Sequence, residues 1–140
     1  MALSNLCFFR RISNYESENL LSALLDEILL KDSFSSLCYA VHIPLSRLVN
    51  NVENLQEMAW IDFINNTLTH IDFVIYHKFN KKPILCIEVD GFIYHQNPKQ
   101  QRRDTMKDRI LEHYGIALLR LPTTGSQEAR IIEERLNSLL

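Results

Sequence analysis

Apolar and polar residues along the chain follow helical spacing in some segments and strand-like alternation in others. The segment SNYESENLLSALLDEILL predicts a first helix over about 15–30, with Ser13 and Glu16 spaced as a capping box. SSLCYAVHIPL then predicts a strand that ends near Pro44. VENLQEMAWIDFINN predicts a helix or an irregular insertion that covers part of the core.

The second half of the chain predicts a hairpin followed by a crossover. HIDFVIYHKF and PILCIEVDGF are strand-like runs separated by NKK, which predicts an antiparallel pair. PKQQRRDTMKDRILEHYG predicts a helix with Gly115 as its C-terminal cap and Met106, Ile110, Leu111 and Tyr114 facing inward. IALLRLP predicts a buried strand, parallel to the preceding one because a crossover helix separates them.

TTGSQEARIIEERLNSLL closes the chain as an amphipathic helix that Thr124 and Gln127 can cap. The predicted order is α, β, insertion, β, β, α, β, α. This order indicates one α/β domain over residues 1–140, with a central mixed β-sheet flanked by helices.

Composition narrows the class of protein. With 46% hydrophobic and 23% charged residues in a chain of 140, a folded globular protein is expected. No apolar run approaches the roughly 18 residues of a membrane span, and the first residues lack a secretory signal, so we expect a cytoplasmic protein that binds no membrane. The net charge of −2 leaves nucleic-acid binding to a local basic patch.

Carboxylates on the two hairpin strands are the main chemical signal. In CIEVDGFIYH, strand alternation places Glu88 and Asp90 on one face, opposite Ile87 and Val89. An antiparallel pairing can bring Asp72 of the first strand beside Glu88. Such a pair, with the Val89 carbonyl, water and substrate phosphate oxygens, suffices to bind Mg²⁺. Acidic residues on a half-solvated strand are the alternative without chemistry.

Other residues compete for these roles. Asp62 in WIDF repeats the IDF pattern around Asp72, but the strand context favours Asp72. The histidines outside this segment have no mutual spacing that indicates a zinc site; they are His42, His70, His77 and His113.

The motifs HIDFVIY, CIEVDGFIYH, QRRDTMKDRILEHYG and IALLRLP, in this order, resemble the very-short-patch-repair-like branch of the PD-(D/E)xK nucleases. The NYESENLLSALL helix is similar to the acidic N-terminal helix of these restriction-endonuclease-like domains. The resemblance implies a restriction-endonuclease-like sheet and Mg²⁺-dependent cleavage of DNA, with Mn²⁺ as a substitute metal. It places the metal at Asp72 and Glu88, with Glu16 or Glu18 as an outer acidic ligand.

One position departs from the superfamily pattern, because Asp90 stands where a lysine is usual. The E-x-D-G form of this branch implies that Asp90 is an accessory metal ligand. His95 is then the preferred acid or base, since imidazole titrates near neutrality. Lys107 is the alternative, as a cation that replaces the strand lysine. The interpretations without function are a backbone-bonded His95 and a surface ion pair of Lys107 with Asp104.

A basic cluster opens the crossover helix and is suited to contact DNA phosphates. Its predicted DNA-binding members are Lys99, Arg102 and Arg103. The expected function is a Mg²⁺-dependent DNA endonuclease. The alternative is a catalytically inactive DNA-binding or regulatory module of the same fold, with a larger helicase or restriction assembly as a partner. The number of copies in an assembly does not follow from the sequence.

Overall fold

The elements follow the predicted order. The structure, a computed structural model, describes residues 11–90, 97–122 and 127–140. The α-helices in these ranges are α1 (Glu16–Ile28), α2 (Met58–Asn65), α3 (Pro98–His113) and α4 (Glu128–Leu139). The strands are β1 (Leu37–Pro44), β2 (His70–His77), β3 (Pro83–Asp90) and β4 (Ala117–Pro122). Short 3₁₀ turns lie at Asp32–Phe34, Leu45–Arg47 and Val52–Asn54.

The four described strands form one mixed sheet in the order β1-β2-β3-β4. β1 pairs with β2 and β2 with β3 in antiparallel register, and β3 pairs with β4 in parallel. The α/β class, the hairpin and the parallel crossover strand predicted from the sequence are therefore confirmed. The crossover carries α3 between β3 and β4 and over one face of the sheet.

Each sheet face carries its own hydrophobic core. Phe73 and Ile87 pack with α1 and α4 residues on one face, where Leu25, Ile132 and Leu136 are buried. Val74 and Cys86 pack on the other face against α2 and α3, where Ile64, Ile110 and Leu111 are buried. This division follows from the alternation of side chains along each strand. None of the helices described is both long enough and apolar enough to cross a membrane.

The helix ends agree with the sequence in one case and differ in another. Gly115 takes φ of +70° and its N–H donates to the Glu112 carbonyl at 3.0 Å, which confirms the predicted C-terminal cap of α3. The predicted capping box at the start of α1 is wrong. The helix begins at Glu16 without a side-chain cap, and the Ser13 hydroxyl donates to Glu18 Oε2 at 3.1 Å. Thr124, the predicted cap residue of α4, lies outside the described residues.

Candidate active site

The hairpin strands β2 and β3 stop pairing at one end of the sheet, and two carboxylates bridge the gap. The last backbone pair in this direction is Phe73 with Ile87. One residue further on, the Asp72 N–H donates to Glu88 Oε2 at 3.2 Å, and the Val89 N–H donates to Asp72 Oδ2 at 3.0 Å. Each carboxylate thus satisfies a backbone donor of the opposite strand. The structure therefore brings together the two acids that the hairpin register predicted as neighbours.

A lysine from the crossover helix completes this cluster. Lys107 Nζ donates to Glu88 Oε1, and the two side chains are only 13% and 6% exposed. The alternative ion pair of Lys107 with Asp104 is not formed, because Asp104 Oδ1 accepts from Gln100 Nε2 at 2.9 Å and lies 3.6 Å from Arg120. The helix α3 thus places a cation beside the carboxylate pair.

The two carboxyl groups differ in pKa, although burial affects both. Burial, together with the nearby charge of Asp72, raises the pKa of Glu88 to about 7, although Lys107 opposes the shift. Burial also acts to raise the pKa of Asp72. The neighbouring His70 and the hydrogen bond from the Val89 N–H outweigh burial there, so the pKa of Asp72 is lowered. Near neutral pH, Asp72 is therefore ionised, whereas Glu88 readily gains a proton.

Two histidines and a helix acid flank Asp72, and the histidines were not selected from the sequence. His70 Nε2 lies 3.6 Å from Asp72 Oδ1, and the interaction with this carboxylate raises the pKa of His70. His42 Nε2 lies 2.7 Å from Glu18 Oε1, and the His42 and His70 rings meet edge to face at 5.5 Å. The spacing of His70 and Asp72 on one strand face was a usable signal. The approach of His42 depends on how β1 pairs with β2.

Of the two acids proposed as outer ligands, only Glu18 is near the carboxylate pair. Glu18 lines the same cavity as Asp72, whereas Glu16 is exposed and pairs with Arg11. The reason is helical geometry: residues two apart on a helix point in different directions.

Asp90 lies on the same strand face but is engaged by an arginine. Arg120 Nη1 lies 3.2 Å from Asp90 Oδ1, and Arg120 Nη2 lies 2.7 Å from Asp108 Oδ1 and donates to the Asp104 carbonyl at 3.2 Å. Arg120 thereby joins β3, β4 and α3. This arginine, which stands opposite Glu88 in the parallel register, was not identified from the sequence.

The carboxylates open into a cavity of about 300 Å³. Its lining includes residues of both charges from α1, β2, β3, α3 and β4: Glu18, His70, Asp72, Glu88, Asp90, Arg103, Asp104, Lys107 and Arg120. Of the predicted DNA-binding residues, Arg103 lines the cavity with its guanidinium 5.3 Å from the centre of the Phe63 ring. Arg102 and Lys99 are exposed on α3 outside the lining. His95, the preferred acid or base, lies outside the described residues.

Metal binding here would rest on few protein ligands. In the ranges that the structure describes, no three His, Cys, Asp or Glu side chains are grouped to hold a metal ion. Asp72 and Glu88 nevertheless provide hard oxygen donors, and Mg²⁺ is commonly held by one or two carboxylates with water and phosphate oxygens. Asp62, the competing acid, is exposed on α2 and does not line this cavity.

The chain was compared with known proteins. A family model described as "Protein of unknown function (DUF2726)" matches residues 14–139. No curated protein and no solved structure gives a match. The matched segment includes all the described strands and the complete carboxylate cluster, and it spans far more than half of the sequence. The chain therefore belongs to the DUF2726 family.

Proposed function

We propose that this chain is a Mg²⁺-dependent endonuclease that hydrolyses DNA phosphodiester bonds on a restriction-endonuclease-like core. The observation that carries the proposal is the buried cluster of Asp72, Glu88 and Lys107 at the point where β2 and β3 separate. Two carboxylates and one ammonium group, open to a cavity, are the charges that phosphodiester cleavage with a divalent metal needs.

The order of elements supports the proposal. The sequence resemblance implies a mixed sheet whose hairpin strands carry the acids and whose crossover helix packs beside them. The observed β2–β3 hairpin, the helix α3 and the parallel strand β4 have this arrangement. Since one fold serves many functions, the proposal depends on the cluster more than on the topology.

Asp72 and Glu88 are the residues that would hold the metal, and the chemistry of the pair fits a divalent cation. Glu88 is buried beside an ionised Asp72, and burial raises its pKa, so a bound cation would stabilise both carboxylates in their ionised form. Bound Mg²⁺ would lower the pKa of the attacking water and offset charge on the phosphate.

The chain's own residues would hold the substrate and its charge. Lys107 pairs with the Glu88 carboxylate and lines the cavity. Its ammonium group would therefore lie beside a phosphate bound there. Arg103 at the cavity, with Arg102 and Lys99 on the exposed side of α3, would contact the DNA backbone. Transfer of the proton by His95 stays a prediction from the sequence.

The first experiment tests the metal. Mg²⁺ or Mn²⁺ should raise the melting temperature of the wild type, since a ligand that binds the folded state stabilises it. Asp72→Ala should abolish the rise. Asp62→Ala is the matched control, because Asp62 follows the same IDF pattern but lies exposed on α2. Equal shifts in the wild type and Asp72→Ala would place the metal elsewhere.

The second experiment tests cleavage and the acid or base. Nicking of supercoiled plasmid with Mn²⁺ is expected from the wild type and not from Asp72→Ala. His95→Ala should slow nicking by about 10²-fold to 10⁴-fold while metal and DNA binding survive. A wild type that binds DNA and never nicks it would support the inactive module, for which Asp90 in place of the usual lysine is the best argument.

The third experiment tests the basic helix. Replacing Arg102 and Arg103 with alanine should weaken binding equally for unrelated DNA sequences and lower its salt dependence, because phosphate contacts carry no base information. Arg130→Ala on α4 is the control. An unchanged salt slope in the double variant would remove α3 from the DNA interface.

A further inference from the structure

An exposed aromatic ring surrounded by lysines marks the opposite end of the hairpin. The turn between β2 and β3 presents Phe79 with 82% of its surface exposed. Lys78, Lys81 and Lys82 are also exposed. We refer to residues 78–82 as the hairpin tip. Five residue steps separate Asp72 from His77 at the end of β2, or about 17 Å at the rise of a strand, so the hairpin tip is distinct from the cavity.

Hydrogen bonds hold the hairpin tip in one conformation. The Lys81 N–H donates to the His77 carbonyl and the His77 N–H donates to the Lys82 carbonyl, both at 2.9 Å. Asn80 Oδ1 accepts from the Lys82 N–H at 2.9 Å. The Lys78 N–H donates to the Ser36 carbonyl at 2.8 Å, which ties the turn to the segment before β1. Phe79 is therefore presented on an ordered turn, which lowers the entropic cost of using it for binding.

The lysines of the hairpin tip carry uncompensated charge. No carboxylate in the described ranges forms an ion pair with Lys78, Lys81 or Lys82. No Asp or Glu occurs anywhere from residue 73 to residue 87. The chain as a whole has a net charge of −2. The hairpin tip is thus a local cationic surface on an acidic protein, and a polyanion is its complementary partner.

The aromatic residues determine which polyanion fits. Phe79 lies beside the His77 ring at 5.9 Å, and Lys81 Nζ lies 5.6 Å from the centre of the Tyr76 ring. Interleaved aromatic and cationic side chains are how proteins bind single strands, with bases stacked on rings and phosphates on cations. A paired base inside a duplex has no free face for Phe79.

We propose that the hairpin tip binds single-stranded DNA, with Phe79 stacked on an unpaired base and the three lysines at the phosphates. The choice of DNA rests on the proposed nuclease function. The substrate of that nuclease would then be DNA that contains an unpaired segment. Binding itself requires no catalysis, so the two proposals fail separately.

The test measures binding of a fluorescent single-stranded oligonucleotide, and of the corresponding duplex, by fluorescence anisotropy in the presence of EDTA. Phe79→Ala should weaken single-strand binding by roughly tenfold, as expected when one base no longer stacks, and Phe79→Tyr should restore it. Leu20→Ala is the matched control, since Leu20 is apolar and 68% exposed on α1. Replacing the three lysines with alanine should reduce the salt slope by about 0.7 for each phosphate that a lysine no longer neutralises.

Several results would overturn the proposal. Unchanged affinity of Phe79→Ala would do so, as would equal decreases in affinity for single strand and duplex. Capture by anionic phospholipid vesicles that Phe79→Ala abolishes, with no binding of oligonucleotide, would assign the hairpin tip to a membrane. If the wild type cleaves nothing and Phe79→Ala still weakens binding, the nuclease proposal fails and this one stands.

Discussion

Two ionic clusters lie side by side beneath α3: one is centred on a cation, and the other on a buried carboxyl group whose pKa is raised. Arg120 is surrounded by Asp90, Asp104 and Asp108, and its pKa is raised by these acids despite burial. The second cluster pairs Glu88 with Lys107 beside a second carboxylate, and burial raises the pKa of Glu88 to about 7.

This difference separates a structural role from a chemical one. The guanidinium of Arg120 joins three elements through fixed bonds, so its loss should be seen mainly in stability. The Glu88 carboxyl can release its charge by taking up a proton, so the Lys107 cluster tolerates the loss of a partner and should show its importance in chemistry.

The largest expected effect in this comparison is the loss of DNA cleavage caused by the substitution Lys107→Met. On the proposed nuclease function, removing the Lys107 ammonium group should slow nicking by about 10²-fold to 10³-fold, as removal of one preorganised donor does elsewhere. The unfolding free energy should fall by less than about 1 kcal/mol, because Glu88 can be protonated instead. Arg109→Met, exposed on the same helix, is the control for nicking. Unchanged nicking with a large stability loss would reverse the assignment.

Arg120→Met should have the next largest effect, on stability. It removes the Arg120 guanidinium from two mostly buried aspartates, Asp90 and Asp104, which costs about 3 kcal/mol of unfolding free energy. Urea denaturation measures this loss. Arg130→Met removes an exposed pair with Glu134 and should cost less than about 0.5 kcal/mol. If both variants unfold at the same urea concentration, Arg120 does not join the three elements as described.

Glu88→Gln should change the pH dependence of stability in the absence of metal. Since the pKa of Glu88 is raised from 4.5 to about 7 on folding, the folded state retains a proton that the unfolded state releases. Its contribution is complete below the unfolded pKa and is lost as the pH rises through about 7, a decline on the order of 3 kcal/mol. The variant should lack this decline in urea titrations across that pH window. Parallel curves for both proteins would contradict the raised pKa.

The smallest expected effect is that of Asp108→Asn. The Asp108 side chain is 51% exposed, so its bond with Arg120 is screened by water and should contribute no more than about 0.5 kcal/mol. Urea denaturation of Asp108→Asn and of Arg120→Met under the same conditions gives the ratio of their losses in unfolding free energy. A loss as large as that of Arg120→Met would show that Asp108, and not the buried aspartates, provides the stabilising contact.

The helices and strands could be predicted from the sequence because they depend on local patterns. Alternation in HIDFVIY and PILCIEVD and the NKK turn determine that Asp72 and Glu88 share one face and meet across a hairpin. Gly115 marks the end of α3 because a positive φ suits glycine. The capping box at Ser13 failed for a different reason: the Ser13 Oγ accepts from the Tyr15 N–H, and the Ser13 N–H donates to Asn19 Oδ1 instead of Glu16.

Only the tertiary structure decided which charges meet from distant elements. The sequence spacing of Lys107 suits an ion pair with Asp104 as well as contact with the strands, and the packing of α3 on the sheet directs it to Glu88. Arg120 and His42 reach the cluster region through the registers of β4 and β1, which no local pattern encodes. The physical reason is that strand pairing and the burial of a helix face depend on contacts between residues that are far apart in the sequence. The pKa of Glu88 depends on that burial, so the residue was visible in the sequence and its altered acidity was not.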